Sequence, residues 1–576
     1  MAITRRDPVK RLNVGLLLIA FVLSLFAGRL VQLQGIQSAA YAHKALKQRL
    51  DILTLPAVRG AITDAQGFPF AMTVEAREVF ADPAIIVPAQ RPQIAQMLAP
   101  MLSMDQAKLL QLLAKPGQFS VLAHNVTPDR ARMVMALGYT GISTIPEYRR
   151  VYPNDTLAAN VIGFVNHSGA GGAGLESSLN KLLAGRSGKQ TVEIGTNGQR
   201  IPMGEDQTIH PVPGRDVRLT LLRDLQYKAQ TAITTQVAKT GAASGSVIVM
   251  DPRTGQILAM ASAPTFDPNS PGNSQQAWQN RAVQETFEPG STNKVITAAA
   301  VMEHGGVTPS TPFTVPYSIR KYDQPLHDAE FHKTYKLTFG GVLALSSNVG
   351  TMIASDRITG QQLYQTMRDF GYGQHSGAGL PGESAGLLAP PGQWSGTQRY
   401  TIAYGQGVSV TALQEASVYA TIANKGVRVA PTIVAGTTDG HGNFVPAPEP
   451  KQRQVISAQT AEQITTMLEG VVSPEGTAPQ AQIPPYRVAG KTGTAQKVNP
   501  SCHCYTGNDY TASFAGFAPA DDPQLVVLVV LQNPVNGHYG GVVAAPVFRD
   551  VMSFALAARK IPPTGSTSPK IVIYAK

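Results

Sequence analysis

The sequence predicts an α+β fold, a β-sheet flanked by helices, carried behind one N-terminal membrane-anchoring helix. Three observations predict it. Over residues 216–560, apolar helical stretches (Leu225–Ala238, Lys294–Glu303, Leu413–Ala423, Ala461–Val471) alternate with strand-like runs (Gly245–Met250, Ile257–Ser262, Gln524–Leu531). Residues 51–215 hold shorter β-like runs instead. A single long apolar run lies near the N-terminus. The chain has 576 residues, 43% hydrophobic and 15% charged, which is a globular composition long enough for two or three domains around a large core.

From the N-terminus, residues 1–11 carry Arg5, Arg6, Lys10 and Arg11 and read as cytoplasmic. Residues 12–33 read as a transmembrane anchor: the apolar run Val14–Gly28 continues to Leu33 around Arg29, whose long side chain snorkels to the interface. That places the rest of the chain outside, in the cell membrane as a single-pass protein. A cleaved signal peptide, with small-residue sites near Ala40–Ala42, is the rival reading. Residues 34–50 look helical. Ser168-Gly-Ala-Gly-Gly-Ala-Gly174 is a flexible turn inside the mixed region. Residues 561–576 begin Ile561-Pro-Pro-Thr-Gly-Ser-Thr-Ser-Pro569 and read as a linker-like tail.

Three short segments carry chemistry: Ser291-Thr-Asn-Lys294, Ser346-Ser-Asn348 and Lys491-Thr-Gly-Thr494. Each is weak alone, since Ser-x-x-Lys recurs at Ser178–Lys181 and Ser318–Lys321, Ser-x-Asn at Ser178–Asn180, and Lys-Thr-Gly at Lys239–Gly241. Context separates them. Ser178 sits in an ordinary amphipathic pattern, Gly241 ends a helix, and Ser318 follows a Pro-containing run. Ser291 instead follows the sharp turn Glu288-Pro-Gly290 and opens a strong helix closed by Gly305-Gly306. Lys294, one turn later, then lies within reach of the Ser291 hydroxyl. Lys491 lies on a glycine-punctuated strand whose glycines let a substrate backbone approach, with Thr492, Gly493 and Thr494 beside it. Ser346–Asn348 reads as a helix start or a loop at a cleft wall, or merely as an N-cap. The three segments in this order form an acyl-transfer signature.

Phe287-Glu-Pro-Gly-Ser-Thr-Asn-Lys294, Leu345-Ser-Ser-Asn-Val-Gly350, Tyr404-Gly-Gln-Gly-Val-Ser-Val-Thr411 and Gly490-Lys-Thr-Gly-Thr-Ala-Gln496 resemble the transpeptidase domain of penicillin-binding proteins. Arg59-Gly-Ala-Ile-Thr-Asp64 and Arg215–Gln226 resemble the monofunctional class B type, and the overall pattern most resembles its cell-division, FtsI-like members. The resemblance implies a pedestal or dimerisation-like domain over 34–215 and an α/β/α-sandwich transpeptidase domain over 216–560. It implies that Ser291 attacks the penultimate D-alanine carbonyl of a peptidoglycan stem peptide, that Lys294 takes its proton, and that Ser346 relays a proton to the departing D-alanine. Asn348 would hold the peptide, and Lys491, Thr492 and Thr494 its terminal carboxylate, with backbone N–H groups of Ser291 and Thr494 as the oxyanion hole. β-Lactams would acylate Ser291 and stay. No cofactor or metal is implied. Partners would be stem peptides, the membrane, and division proteins including a glycosyltransferase.

Two departures stand out: Asn293 precedes the lysine where the family usually carries an apolar residue, and the middle triplet lacks Asp, unlike many serine β-lactamases. A Glu-x-x-Leu-Asn stretch at Glu176–Asn180 lies too far upstream to serve as a deacylating glutamate. The net charge of +11 suits a cell wall or anionic lipid, and the absence of a basic–aromatic cluster beyond residue 11 argues against nucleic acid. Cys502 and Cys504 read as a disulfide stiffening a loop at the cleft edge, with free thiols as the alternative; a metal site through His503 lacks a fourth ligand. An elongation-type homologue, a D,D-carboxypeptidase, and a β-lactam sensor or inactive scaffold are the alternative functions.

Overall fold

At the centre of residues 214–576 is a five-stranded antiparallel sheet in the order Ile257–Ala263, Ser244–Met250, Leu525–Gln532, Tyr510–Ala518, Ala489–Gln496. The computed structural model describes residues 8–166, 168–193, 206–498, 502, 504, 505 and 509–576; Arg5, Arg6 and His503 lie outside them. Leu525–Gln532 reads Leu-Val-Val-Leu-Val-Val-Leu-Gln and is buried at every position, as are Ser244–Met250 and Ile257–Ala263. A strand buried on both faces needs helices on both sides of the sheet, so the α+β expectation holds.

Helices Arg223–Thr240 and Ala545–Ala558 pack together on the sheet. Gly245 lets the first approach: a Cβ there would lie 2.7 Å from Ile233 Cδ1. Helix Ala412–Ala423 is buried at all of its residues and starts at a capping box between Thr411 and Gln414. Helix Arg223–Thr240 ends on Gly241 at φ +65°, the left-handed stop read from its sequence.

The chain divides into two compact units, Met1–Val58 with Gly185–Pro213, and Arg59–Ala184 with Gly214–Lys576. The mixed region therefore contributes to both. The first unit holds helix Pro8–Val31, helix Ser38–Arg49 and a three-stranded antiparallel sheet (Leu50–Leu55, Gly188–Glu193, Asp206–Ile209). Pro8–Ile36, 29 residues, is long and apolar enough to cross a membrane.

In the second unit, Arg59 opens the Arg-Gly-Ala-Ile-Thr-Asp stretch by reaching Glu176. Its Nε lies 2.6 Å from Glu176 Oε2, while Arg150 Nε lies 2.7 Å from Oε1. A separate small core under Pro69–Ala81 is filled by Ile94, Leu98, Leu109, Leu113 and Val134 from three helices, Arg91–Leu102, Gln106–Leu113 and Pro128–Ala136.

The tail is not the free linker expected from its composition. Residues 561–576 are irregular but held: Thr338 N donates to Ile573 O (3.0 Å), Ala575 N donates to Lys336 O (3.0 Å), and the Tyr486 hydroxyl donates to Ile561 O (2.7 Å). The linker composition of 561–569 hid the apolar residues that follow. Gly341 leaves the slot, since a Cβ there would lie 2.1 Å from Ile573 O.

Candidate active site

Glu288-Pro-Gly290 turns the chain sharply, with Gly290 at φ +56°, into a single 3₁₀ turn Gly290–Asn293. The α-helix itself starts only at Lys294 and runs to His304. Ser291 thus stands on a tight turn rather than in the first turn of the α-helix. Lys294 is completely buried, at the foot of that helix.

The second wall is built by helix Phe339–Ala344 and helix Asn348–Ser355. The N-cap of the latter is Ser347, whose Oγ accepts from Gly350 N at 2.8 Å. The bland reading of this triplet is therefore right for Ser347 and wrong for Ser346, which is left in the left-handed region at φ +58° with its hydroxyl free for other partners. Those partners are the two lysines. Lys491 Nζ lies 2.8 Å from Ser346 Oγ, and Lys294 Nζ lies 3.3 Å from it. Lys294 Nζ also donates to Ser346 O (2.5 Å) and Asn348 Oδ1 (2.8 Å).

The third wall is the edge strand Ala489–Gln496, paired on one side with Tyr510–Ala518. Alternation puts Thr492 and Thr494 on the cleft while Lys491 turns inward. Lys491 is completely buried and also bonds Thr492 O and Oγ1, each at 3.3 Å. Thr494 Oγ1 accepts from Gly540 N at 3.1 Å, leaving its hydrogen to donate into the cleft.

Ser291, Ser346, Asn348, Thr492 and Thr494 line one cleft of about 750 Å³, together with Asp328, His332, Tyr404 and Tyr505. Lys294 and Lys491 stand just behind its wall. Gly493 does not face the cleft. A Cβ there would lie 2.2 Å from Ser513 Oγ and 3.0 Å from Pro289 O, so this glycine seats the strand against its neighbours. Asn348 differs from expectation as well: its amide is turned to Lys294 Nζ and to His327 O (3.3 Å).

The electrostatics follow from burial. Removal from water pushes the Lys294 amine down to about 7, partly opposed by the Asp328 carboxylate. Burial, then repulsion from Lys294, holds Lys491 well below its ordinary value. The Ser291 hydroxyl makes no hydrogen bond to Lys294 among the described residues.

Several further residues frame the cleft. Glu288 accepts from Gly407 N (2.7 Å) and from the Tyr505 hydroxyl (2.9 Å to each oxygen), which ties the cleft edge to the turn before Ser291. Cys502 and Cys504 are disulfide-bonded beside Tyr505. Burial, then the Glu288 carboxylate, pushes the Tyr404 hydroxyl up to about 12. Below the turn, Glu415 is completely buried, pushed up to about 7 by burial, and accepts from the Tyr372 hydroxyl. Asn293 donates from Nδ2 to Ile402 O at 2.8 Å, while its buried Oδ1 has no partner among the described residues.

The decoys are employed elsewhere. Asn180 accepts from Arg59 Nη1 at 2.8 Å, Lys321 pairs with Asp356 at 2.8 Å on a hairpin, and Lys239 lies in a helix's last turn.

Family models match twice, the penicillin-binding protein transpeptidase domain over residues 245–553 and the penicillin-binding protein dimerisation domain over residues 54–219. The chain is 39% identical to penicillin-binding protein PbpB of Mycobacterium tuberculosis, over 90% of this chain and 81% of that protein. The chain belongs to the class B penicillin-binding proteins. It is also 33% identical to the peptidoglycan D,D-transpeptidase FtsI of Escherichia coli (strain K12), over 96% of this chain and 92% of that one. Among solved structures, penicillin-binding protein 3 of M. tuberculosis complexed with aztreonam superposes with a TM-score of 0.71 at 35% identity, covering 91% of this chain and 100% of that chain. In family terms, the cleft lies within the transpeptidase region, and its three walls carry the three short segments.

Proposed function

We propose that this protein is a membrane-anchored serine D,D-transpeptidase that cross-links peptidoglycan stem peptides and is covalently inhibited by β-lactams, serving septal wall synthesis. The observation that carries the reading is the Ser346 hydroxyl held between two buried lysines, in the cleft that Ser291 faces. A lysine pushed down to about 7 is neutral in a usable fraction at neutral pH, so it takes the Ser291 proton as that oxygen attacks the penultimate D-alanine carbonyl. Ser346, hydrogen-bonded to both amines, passes a proton to the departing D-alanine nitrogen. Lys491, through Thr492 and the free hydrogen of Thr494, receives the terminal carboxylate. The exposed side of the edge strand pairs with the extended peptide. An amine from a neighbouring strand then attacks the acyl-enzyme, and the ester is exchanged for an amide cross-link.

The N-terminus is cytoplasmic in this reading, supported by Lys10 and Arg11 ahead of the apolar stretch of Pro8–Ile36. A monofunctional transpeptidase needs glycan strands made by another activity, which is why a glycosyltransferase and other division proteins are its expected partners. The septal role rests on the FtsI-like pattern.

A pentapeptide donor ending in D-Ala-D-Ala, supplied with an amine acceptor, is expected to release D-alanine and yield the cross-linked dimer. Ser291→Ala is expected to yield neither. Release of D-alanine with water as the sole acceptor would favour a carboxypeptidase, and undiminished cross-linking by Ser291→Ala would refute the assignment.

A further inference from the structure

Nineteen residues before Ser347, outside all three motif segments, Asp328 is 5% exposed and fully engaged. Its Oδ2 accepts from the Ser347 hydroxyl at 2.7 Å and lies 2.9 Å from His332 Nε2, while Oδ1 accepts from Val349 N at 2.9 Å. The second ring nitrogen of His332, Nδ1, lies 2.7 Å from Lys333 O. The ring thus spans two groups that only accept, a backbone carbonyl and a carboxylate, and a ring protonated on both nitrogens satisfies both. The ring is one-tenth exposed and stacks on Tyr335 at 4.4 Å and 5°, which holds it against Asp328.

We propose that Asp328 and His332 form a buried ion pair that positions the acylation machinery, locking the Ser346–Asn348 turn against Lys294 and setting the charge that Lys294 feels. The first half follows from the contacts. Ser347 and Val349 bracket Asn348 and follow Ser346, so fixing both to one carboxylate holds Ser346 in its left-handed conformation and Asn348 Oδ1 on Lys294 Nζ. The second half follows from the charges present. Lys294 is faced by Lys491 from the edge strand and by Asp328 from the segment before the second wall. Asp328 is faced by His332, with His327, Glu330 and Lys333 on the same segment. Asp328 is thus the anion that stabilises protonated Lys294, and His332 is the cation that limits this.

The inference rests on the acyl-transfer reading above and makes opposite demands on two substitutions. The test is the second-order rate of Ser291 acylation by a fluorescent penicillin between pH 5.5 and 9, on the full chain in detergent. Asp328→Asn removes the anion, and the acid limb of the profile is expected to move down by about one pH unit. The plateau is expected to fall about tenfold, because the carboxamide cannot satisfy every donor. His332→Gln keeps a donor toward Asp328 but removes the cation, and the limb is expected to move up. A merely structural role lowers both plateaus with the limbs unmoved, and that result overturns the inference. If Asp328→Asn does not fold, His332→Gln decides alone: an unmoved limb overturns it. Absence of Ser291 labelling in the wild type would instead strike the parent reading.

Discussion

Two clusters of buried charge lie in residues 59–184 and 214–576, and they are built on opposite terms. In the first, Arg59 and Arg150 share the fully buried carboxylate of Glu176, each within 2.7 Å, with Asn180 and backbone carbonyls taking further donors. In the second, Lys294 and Lys491 are completely buried and their ammonium groups meet only hydroxyls, an amide and carbonyls among the described residues. Compensation makes the first cluster a brace. In the second no carboxylate among the described residues touches either amine, and a cation denied water and direct carboxylate contact gives up its proton near neutrality, which the proposed base requires. The same contrast accounts for Glu176, whose carboxylate is committed to two arginines.

The two clusters differ most at Lys294. Lys294→Met is expected to lower penicillin acylation about a thousandfold or more, as loss of a positioned base does, while the melting temperature holds or rises. A thousandfold loss accompanied by a large drop in melting temperature would mean that Lys294 is part of the brace. Glu176→Gln is expected to do the reverse. Two arginines left buried without a carboxylate cost about 3–5 kcal/mol in chemical denaturation, and the folded fraction is expected to acylate at the wild-type rate. A wild-type denaturation midpoint would remove the distinction.

The pH dependence of stability sharpens the contrast. Lys294 titrates near 7 when folded and near 10.5 when unfolded, so the unfolded state binds more protons between those values and stability rises with pH there. The penalty is fully present below about pH 7 and gone above about 10.5. The stability difference between Lys294→Met and wild type is therefore expected to shrink from pH 7 to 10, as read from denaturation midpoints at each pH. A constant difference would show that the amine is charged in the folded protein throughout. The smallest effect is expected at Asn293. Asn293→Leu removes both the bond to Ile402 O and an unpartnered buried oxygen, so its stability is expected within about 1 kcal/mol of wild type.

Much of this arrangement was legible in the chain. The helices and strands of residues 216–560 were read from periodicity, because a sheet buried on both faces leaves long apolar runs. Ser291, Ser346 and Lys491 were separable from their decoys by the turns and strands around them. What was not legible depends on contacts between distant segments. Nothing near Ser347 announces Asp328, and nothing in Asn348 tells whether its amide faces a peptide or Lys294. Gly493 looked like room for substrate, whereas its open side is filled by Ser513 and Pro289. The tail was misread because its Pro/Ser-rich start conceals Ile571 and Ile573, whose places beside Gly340 and Gly341 appear only when the chain is folded.

In the proposed reaction a buried lysine with no carboxylate in direct contact among the described residues supplies the base. Acylation of the wild-type protein by penicillin, followed as a rate against pH, tests it most directly. The expected profile climbs about tenfold per pH unit below 7 and levels off above it. A rate flat from pH 5.5 to 9, or one still climbing toward pH 10, would contradict the claim.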